Sequence, residues 1–128
     1  MYKKKILLVD DDVNLTRLLG QRLQAHGHKV TIAHDGKEGL KKAKAKPDLI
    51  ILDVVMPGMN GYEVCKKLRQ DKKTRKIPII MLTGKDAPDE KIEGLFDGAD
   101  NYITKPFITE VLMAHIEATF RRSKSSKD

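Results

Sequence analysis

Leu49-Ile50-Ile51-Leu52 is a run of large apolar residues without polar alternation, bounded by Pro47 before it and Pro57-Gly58 after it. A run this short, between turn signals, reads as a strand with both faces buried. Such strands sit inside parallel sheets, and a parallel sheet obliges the chain to cross over between strands, usually through a helix. Asp53 ends the run. In open α/β sheets, ligands bind just beyond the carboxyl ends of the strands. An aspartate at a strand end can equally be a turn or helix-cap residue, so the rest of the chain must decide.

The remaining pattern repeats the theme. Residues 6–9 are a first apolar strand, followed by Asp10-Asp11-Asp12 and then Leu15, Leu18, Leu19 and Leu23 at helical spacing. Asp12 is placed to cap that helix, which leaves Asp10 and Asp11 without a structural role. Gly27 suits the helix exit, and Val30 and Ile32 alternate in a short strand over residues 29–33. Asp35 and Glu38 have capping-box spacing for a second helix running to about Ala45, with Leu40 and Ala43 buried. Asn60 and Glu63 repeat the spacing ahead of a third helix that buries Val64, Cys65 and Leu68. Residues 77–82 are a fourth buried strand ending in Thr83-Gly84. Pro88, Asp89 and Glu90 suit the first turn of a fourth helix with Ile92, Leu95 and Phe96 on its apolar side. Tyr102-Ile103-Thr104 is a short last strand, and a final helix carries Val111, Leu112, Ile116 and Phe120. Five strands alternating with five helices predict a doubly wound parallel α/β sheet with helices on both faces. All strand ends then share one rim, where Asp10, Asp11, Asp53, Thr83 and Lys105 converge.

Composition narrows the class. A chain of 128 residues, 40% hydrophobic and 34% charged, suits one packed domain. No apolar run approaches the roughly 18 residues of a membrane span, and residues 6–9 are too short for a signal-peptide core. Cys65 is the lone cysteine, at an apolar helical position, so it reads as a small core residue, and a reducing cytoplasm is the expected location. Of the net charge of +7, three units come from Lys3, Lys4 and Lys5, and a net three from residues 121–128. The basic balance therefore mostly describes the termini, and direct nucleic-acid binding is not expected. Residues 66–76 hold seven basic residues against Asp71, and residues 86–120 hold eight acidic residues against Lys91 and Lys105. This predicts a basic flank and an acidic flank. His26, His28, His34 and His115 are scattered, which argues against a phosphohistidine or a histidine metal site.

Four segments carry a family resemblance: residues 8–12 (LVDDD), residues 52–61 (LDVVMPGMNG), residues 82–84 (LTG) and residues 98–107 (GADNYITKPF). In this order and spacing, the chain resembles the receiver domain of a bacterial two-component response regulator, nearest in size to the single-domain chemotaxis type. The match runs from Lys4 to about Arg122. It implies a receiver over residues 1–122; residues 123–128 are polar and read as a disordered tail. It also implies a flavodoxin-like (βα)5 fold with strand order 2-1-3-4-5. By resemblance, Asp53 accepts a phosphoryl group. Mg2+ is held directly by Asp11, Asp53 and the backbone carbonyl of Val55, with Asp10 acting through water. Lys105 pairs with a phosphate oxygen, Thr83 contributes its hydroxyl, Tyr102 turns inward as the switch, and the Lys105-Pro106 bond is cis. The residue types agree with this chemistry. Clustered carboxylates repel, and oxygen donors with retained water suit Mg2+. Phosphoryl transfer needs mainly positioning and charge neutralisation.

Val55 and Lys85 stand at positions that tune phosphate lifetime in the family, and Val55 offers no acceptor to orient water. Ile108 replaces a usual helix-capping Asp or Asn, so Thr109 is the expected cap. Where receivers pair through the fourth helix, fifth strand and fifth helix, charged residues are common, and this chain has Phe96, Val111 and His115.

The expected function is a phosphorylation-dependent switch. It is fed by a histidine kinase or phosphotransfer protein and read by a partner on the acidic face, which includes Glu90 and Glu93. It would be monomeric, with a dimer as the phosphorylated option, and without turnover chemistry beyond its own phosphorylation and slow dephosphorylation. One alternative is a receiver piece of a larger transcriptional regulator or hybrid kinase, since residues 118–122 resemble a last helix entering a linker. Residues 1–128 themselves leave no room for a separate helix-turn-helix. Another alternative is an aspartate-nucleophile phosphohydrolase, which wants a second Asp where Val55 stands.

Overall fold

The computed structural model describes residues 3–84 and 98–126. Its elements are β1 (Lys5–Val9), α1 (Val13–Ala25), β2 (Lys29–Ala33), α2 (Gly36–Ala43), β3 (Leu49–Asp53), α3 (Gly61–Gln70), β4 (Ile79–Thr83), β5 (Asn101–Thr104) and α4 (Thr109–Ser126). The strands form one parallel sheet in the order β2-β1-β3-β4-β5, as the resemblance implies. The fourth helix expected between β4 and β5 and the lifetime position Lys85 lie outside the described residues, as do Glu90, Glu93 and Phe96. The final helix is therefore α4.

Strand parity divides the core into two layers. Leu7, Val9, Ile50, Leu52, Ile79 and Met81 pack on one face with Val64, Cys65 and Leu68 of α3. Ile6, Leu8, Leu49, Ile51, Ile80 and Leu82 pack on the other with α1 and α4. All five residues of β3 are buried, which is the outcome its unbroken apolar run implies. Cys65 is one of the α3 residues in the first layer, and burial pushes its thiol up to about 12, so it behaves as a small apolar side chain.

The caps follow the local chemistry. Asp12 accepts the Leu15 N–H at 3.0 Å. Asn60 and Glu63 form a reciprocal box. Asp35 caps α2 through the Glu38 N–H, but Glu38 reaches one residue further back, to the His34 N–H at 2.7 Å. At the end of α1 the Gly27 N–H bonds Gln24 O and the His28 N–H bonds Leu23 O, with Gly27 at φ 91°. This is a Schellman exit, which needs the left-handed conformation a glycine adopts freely.

Four local expectations are corrected. Leu18 is 59% exposed, and the buried face of α1 runs through Thr16, Leu19, Gly20 and Leu23. Small residues let α1 lie close to β2: a Cβ at Gly20 would already touch Ile32 Cδ1 at 3.4 Å. Helix α2 stops at Ala43 rather than Ala45. In α4, Val111 is half exposed and Met113 is buried in its stead beside Leu112 and Ile116. Thr109 is the first helical residue, not the cap; Ile108 holds the cap position, its carbonyl taking the Leu112 N–H at 3.1 Å. The α4 backbone stays helical through Ser126, reaching into the stretch expected to be a polar tail.

Candidate functional site

The neighbouring strands β1 and β3 deliver two aspartates to one spot because they end in step: Val9 pairs with Leu52, so Asp10 and Asp53 follow side by side. The Asp10 N–H continues the ladder to Ala33 O at 3.0 Å. Asp10 is fully buried and Asp53 is 4% exposed. One Asp10 oxygen accepts the Asp12 N–H at 3.0 Å, so Asp10 also braces the turn into α1, a role not visible in its spacing. Carboxylate oxygens of Asp10, Asp11 and Asp53 lie within 4.8 Å of one another. Asp11 is exposed on the rim, leaving the cluster open on that side.

Lys105 enters from beyond β5. Its Nζ donates to Asp10 Oδ2 at 2.8 Å and lies 3.2 Å from Asp53 Oδ1. Its backbone N–H bonds the Thr83 carbonyl, which ties the ends of β4 and β5, and the Lys105-Pro106 peptide is cis. Thr83 closes β4, half-buried, one residue beyond the Leu82 that pairs with Asp53. Val55 is 47% exposed two residues past Asp53. Tyr102 is half-buried and packs against the core layer shared with α3. The structure thus brings Asp10, Asp11, Asp53 and Lys105 together, sets Thr83 and Val55 on the same rim, and keeps Tyr102 on the neighbouring edge strand.

The electrostatics are uneven. Burial, then the charge of Asp10, raises Asp53 to about 6 despite the pull of Lys105. Burial works against the Lys105 ammonium, but the hydrogen bond and charge of Asp10, then of Asp53, outweigh it and raise its pKa. One ammonium, paired with Asp10 and Asp53, therefore faces a cluster of three carboxylates, an arrangement short of positive charge. Hard oxygen donors this close fit a small divalent cation of the Mg2+ or Ca2+ kind, and no other cluster of three metal-binding side chains occurs among the described residues.

Two residues that support the site are not evident from motif chemistry. A Cβ at Gly61 would overlap the Asp53 carbonyl oxygen and come within 2.8 Å of Val54 Cα, while the Gly61 N–H bonds Val54 O at 2.8 Å. The loop after β3 thus folds back onto the strand end that carries Asp53, and only glycine permits that approach. Its sequence signal was a poor helix former placed in the first turn of α3. Arg69 donates to Gly98 O, Arg75 O and Ile77 O and pairs with Asp100 at 3.1 Å. It joins the α3–β4 connection to the entry of β5, and nothing in its neighbours marks it out from the other basic residues there.

The chain's relatives agree with this geometry. The sequence profile of the response regulator receiver domain matches residues 6–117. The alkaline phosphatase synthesis transcriptional regulatory protein PhoP of Bacillus subtilis (strain 168) is 50% identical over 122 residues, which are 94% of this chain and 50% of that protein. Response regulator ArlR of Staphylococcus saprophyticus is 45% identical over 119 residues, 92% of this chain and 53% of that protein. A CheY-like response regulator receiver domain protein from Methanospirillum hungatei JF-1 superposes with a TM-score of 0.87 at 31% identity, covering 96% of this chain and 98% of that one. The chain spans about half the length of the curated relatives it matches. Sheet order, acidic rim and profile lead to one assignment: the chain belongs to the receiver domain family of two-component response regulators.

Proposed function

We propose that this receiver is a signalling switch that takes a phosphoryl group onto Asp53 from the phosphohistidine of a histidine kinase or phosphotransfer protein. The observation that carries this is the Lys105 ammonium held between Asp10 and Asp53 beside an open carboxylate cluster. Asp10, Asp11, Asp53 and the Val55 carbonyl would hold Mg2+, with Asp10 acting through water. When bound, the ion neutralises charge on the transferring group. An Asp53 oxygen attacks phosphorus, an O–P bond forms, the P–N bond to the donor imidazole breaks, and the imidazole keeps the electron pair and takes a proton from water. Lys105 is already within reach of Asp53 and would pair with a phosphoryl oxygen. Thr83 would donate its hydroxyl to another, drawing its loop inward, and Tyr102 would follow by packing deeper. The chemistry is confined to the domain's own phosphorylation and slow dephosphorylation, in the cytoplasm. An output partner would read the face of β5, α4 and the segment before β5. A monomer is the resting form, with dimerisation as an option on phosphorylation.

Incubation with acetyl phosphate and Mg2+ should add one phosphoryl mass to the intact protein, and Asp53→Asn should remove the adduct. An unchanged adduct in that variant would sink the assignment. Val55 shields the rim without orienting water, so Val55→Asn should shorten the phosphate lifetime, by up to about tenfold for a positioned attacking water. Equal or slower decay in the variant would count against that role.

The charged faces are less lopsided than the residue count suggests. Of the acidic residues described near the output face, Asp100 pairs with Arg69 and Glu110 with Arg22 at 3.3 Å. A partner would meet reduced negative charge there, and the selection of a basic partner would rest on the acidic residues before β5.

A further inference from the structure

A concave cleft of about 500 Å3 lies at the end of the sheet opposite the carboxylates, where β1, β3 and β4 begin. Lys4, Lys46, Lys72, Lys73 and Lys76 line it, and Phe120 of α4 forms one wall. None of these five lysines makes a salt bridge among the described residues. The carboxylate in the cleft, Asp48, is engaged by the backbone of Lys5: it accepts the Lys5 N–H at 2.8 Å, and its own N–H bonds Lys5 O at 2.7 Å. Ile77 and Pro78 add apolar lining. The Phe120 ring is held in place, with Lys4 Nζ 5.5 Å from its centroid and the buried His28 ring at 5.7 Å.

Lys46 is the telling residue. It follows α2 at φ 57°, and it is the one non-glycine residue with positive φ among the described residues. Glycine or asparagine would suit that left-handed position better. Its backbone gives no reason for a lysine, whereas its side chain lines the cleft. A residue kept in an unfavourable conformation points to a use for its side chain.

We propose that this cleft binds a small ligand carrying two or more phosphates on a flat apolar body, a nucleoside di- or triphosphate being the chemical class. The volume is that of a small-molecule site. Lysines supply adaptable cationic donors to phosphate oxygens, and Phe120 offers an aromatic surface to a base once Lys4 turns from its ring to a phosphate. A single concavity ringed with cations selects a compact polyanion rather than an extended strand. The site lies a five-residue strand, about 16 Å, from the phosphoacceptor and uses none of its residues, so it stands or falls independently of the phosphorylation reading.

The test is calorimetric and amide-shift titration of the full 128-residue chain with ADP, pyrophosphate and inorganic phosphate, in EDTA so that no metal bridges the anion to the acidic rim. ADP should bind more tightly than pyrophosphate, and pyrophosphate about tenfold or more above phosphate, because each added charge-assisted contact counts. Shifts should centre on Lys46 and on residues 72–77. The double variant Lys72→Gln, Lys76→Gln should weaken ADP at least about tenfold. Phe120→Leu should erase the advantage of ADP over pyrophosphate. Lys46→Gly should weaken binding while raising the melting temperature, a pair of effects that a purely structural lysine would not show. Equal, millimolar binding of all three anions would overturn the proposal. So would shifts centred on Asp10 and Asp53, or salt-sensitive binding of a short DNA duplex with none of ADP.

Discussion

Asp53→Asn should melt at a higher temperature than the parent at pH 7.5 in EDTA, while losing all phosphoryl transfer. The Asp53 carboxyl is buried beside Asp10, and its pKa in the folded protein is about 6, against an ordinary 3.8. A gap of that size corresponds to roughly 3 kcal/mol between the two protonation states. Because the folded value is the higher one, the folded state binds the extra proton. The favourable contribution is complete below pH ~4 and is lost as pH rises through about 6, so at neutral pH the ionised carboxylate weakens the fold. Asparagine removes the charge and keeps the shape. Its amide must find partners, which trims the expected gain to about 1–2 kcal/mol, or several degrees for a domain of this size. The advantage should shrink as the pH is lowered from 7.5 to 5. The buried His28, whose pKa burial lowers, has the opposite linkage: it weakens the fold as pH falls below the ordinary histidine value. The difference between parent and variant, rather than the parent's own curve, is therefore the quantity to follow. An Asn variant that melts at or below the parent at pH 7.5 would refute the stored cost.

Removing the cation should do the reverse, and the loss should be recoverable with metal. Lys105→Ala leaves Asp10 and Asp53 buried together without their shared ammonium. Breaking such a cluster by deleting one partner is expected to cost about 2–4 kcal/mol in EDTA, the lower end of the buried-pair range because Lys105 is partly exposed. Part of the cost is avoided if one carboxylate takes up a proton. A divalent cation neutralises the same two carboxylates, so the gain in melting temperature on adding Mg2+ should be larger in Lys105→Ala than in the parent. Binding of the ion itself should persist, since an ammonium has no lone pair to offer a cation. Coupling from phosphorylation to the output face should weaken. Asp11→Ala is the control: it should lose most of the Mg2+ gain, which scales with the logarithm of ligand over dissociation constant. If Mg2+ stabilises Lys105→Ala less than the parent, or Asp11→Ala as much, the carboxylates do not form the metal site.

Both expectations depend on distances no residue pattern contains, yet the residues concerned were legible from the chain. Strands β1, β3 and β4 announced themselves by unbroken apolar runs, caps by Asp12, Asp35 and Asn60, and the rim by aspartates that follow strands. These are local signals, governed by hydrogen bonds a few residues long and by side chains that must leave water. The family resemblance added the roles that periodicity alone left open for Asp10 and Asp11.

Other features depended on how the pieces pack. The spacing of Leu15, Leu18, Leu19 and Leu23 defines a stripe, but the rotation of α1 about its axis was decided by Thr16 and Gly20 lying against β2, so Leu18 faces out. Gly61 reads as a weak helix start, and only the return of its loop onto β3 shows that a side chain would collide with the Asp53 carbonyl. Arg69 counts as one more charge in a basic segment until its donors are found on Gly98, Ile77 and Asp100. Counting charges along the chain placed basic residues on a flank, whereas folding gathers Lys4, Lys46, Lys72, Lys73 and Lys76 from three separate segments at one end of the sheet. The sequence by itself determined the five strands and the four helices among the described residues, the caps Asp12, Asp35 and Asn60, and the chemical identity of the acidic rim, because those follow from neighbours in the chain. Helix rotation, the burial that raises Asp53, the sharing of Lys105 and the basic cleft were decided only by tertiary structure, because each depends on groups that are distant in sequence and meet through packing.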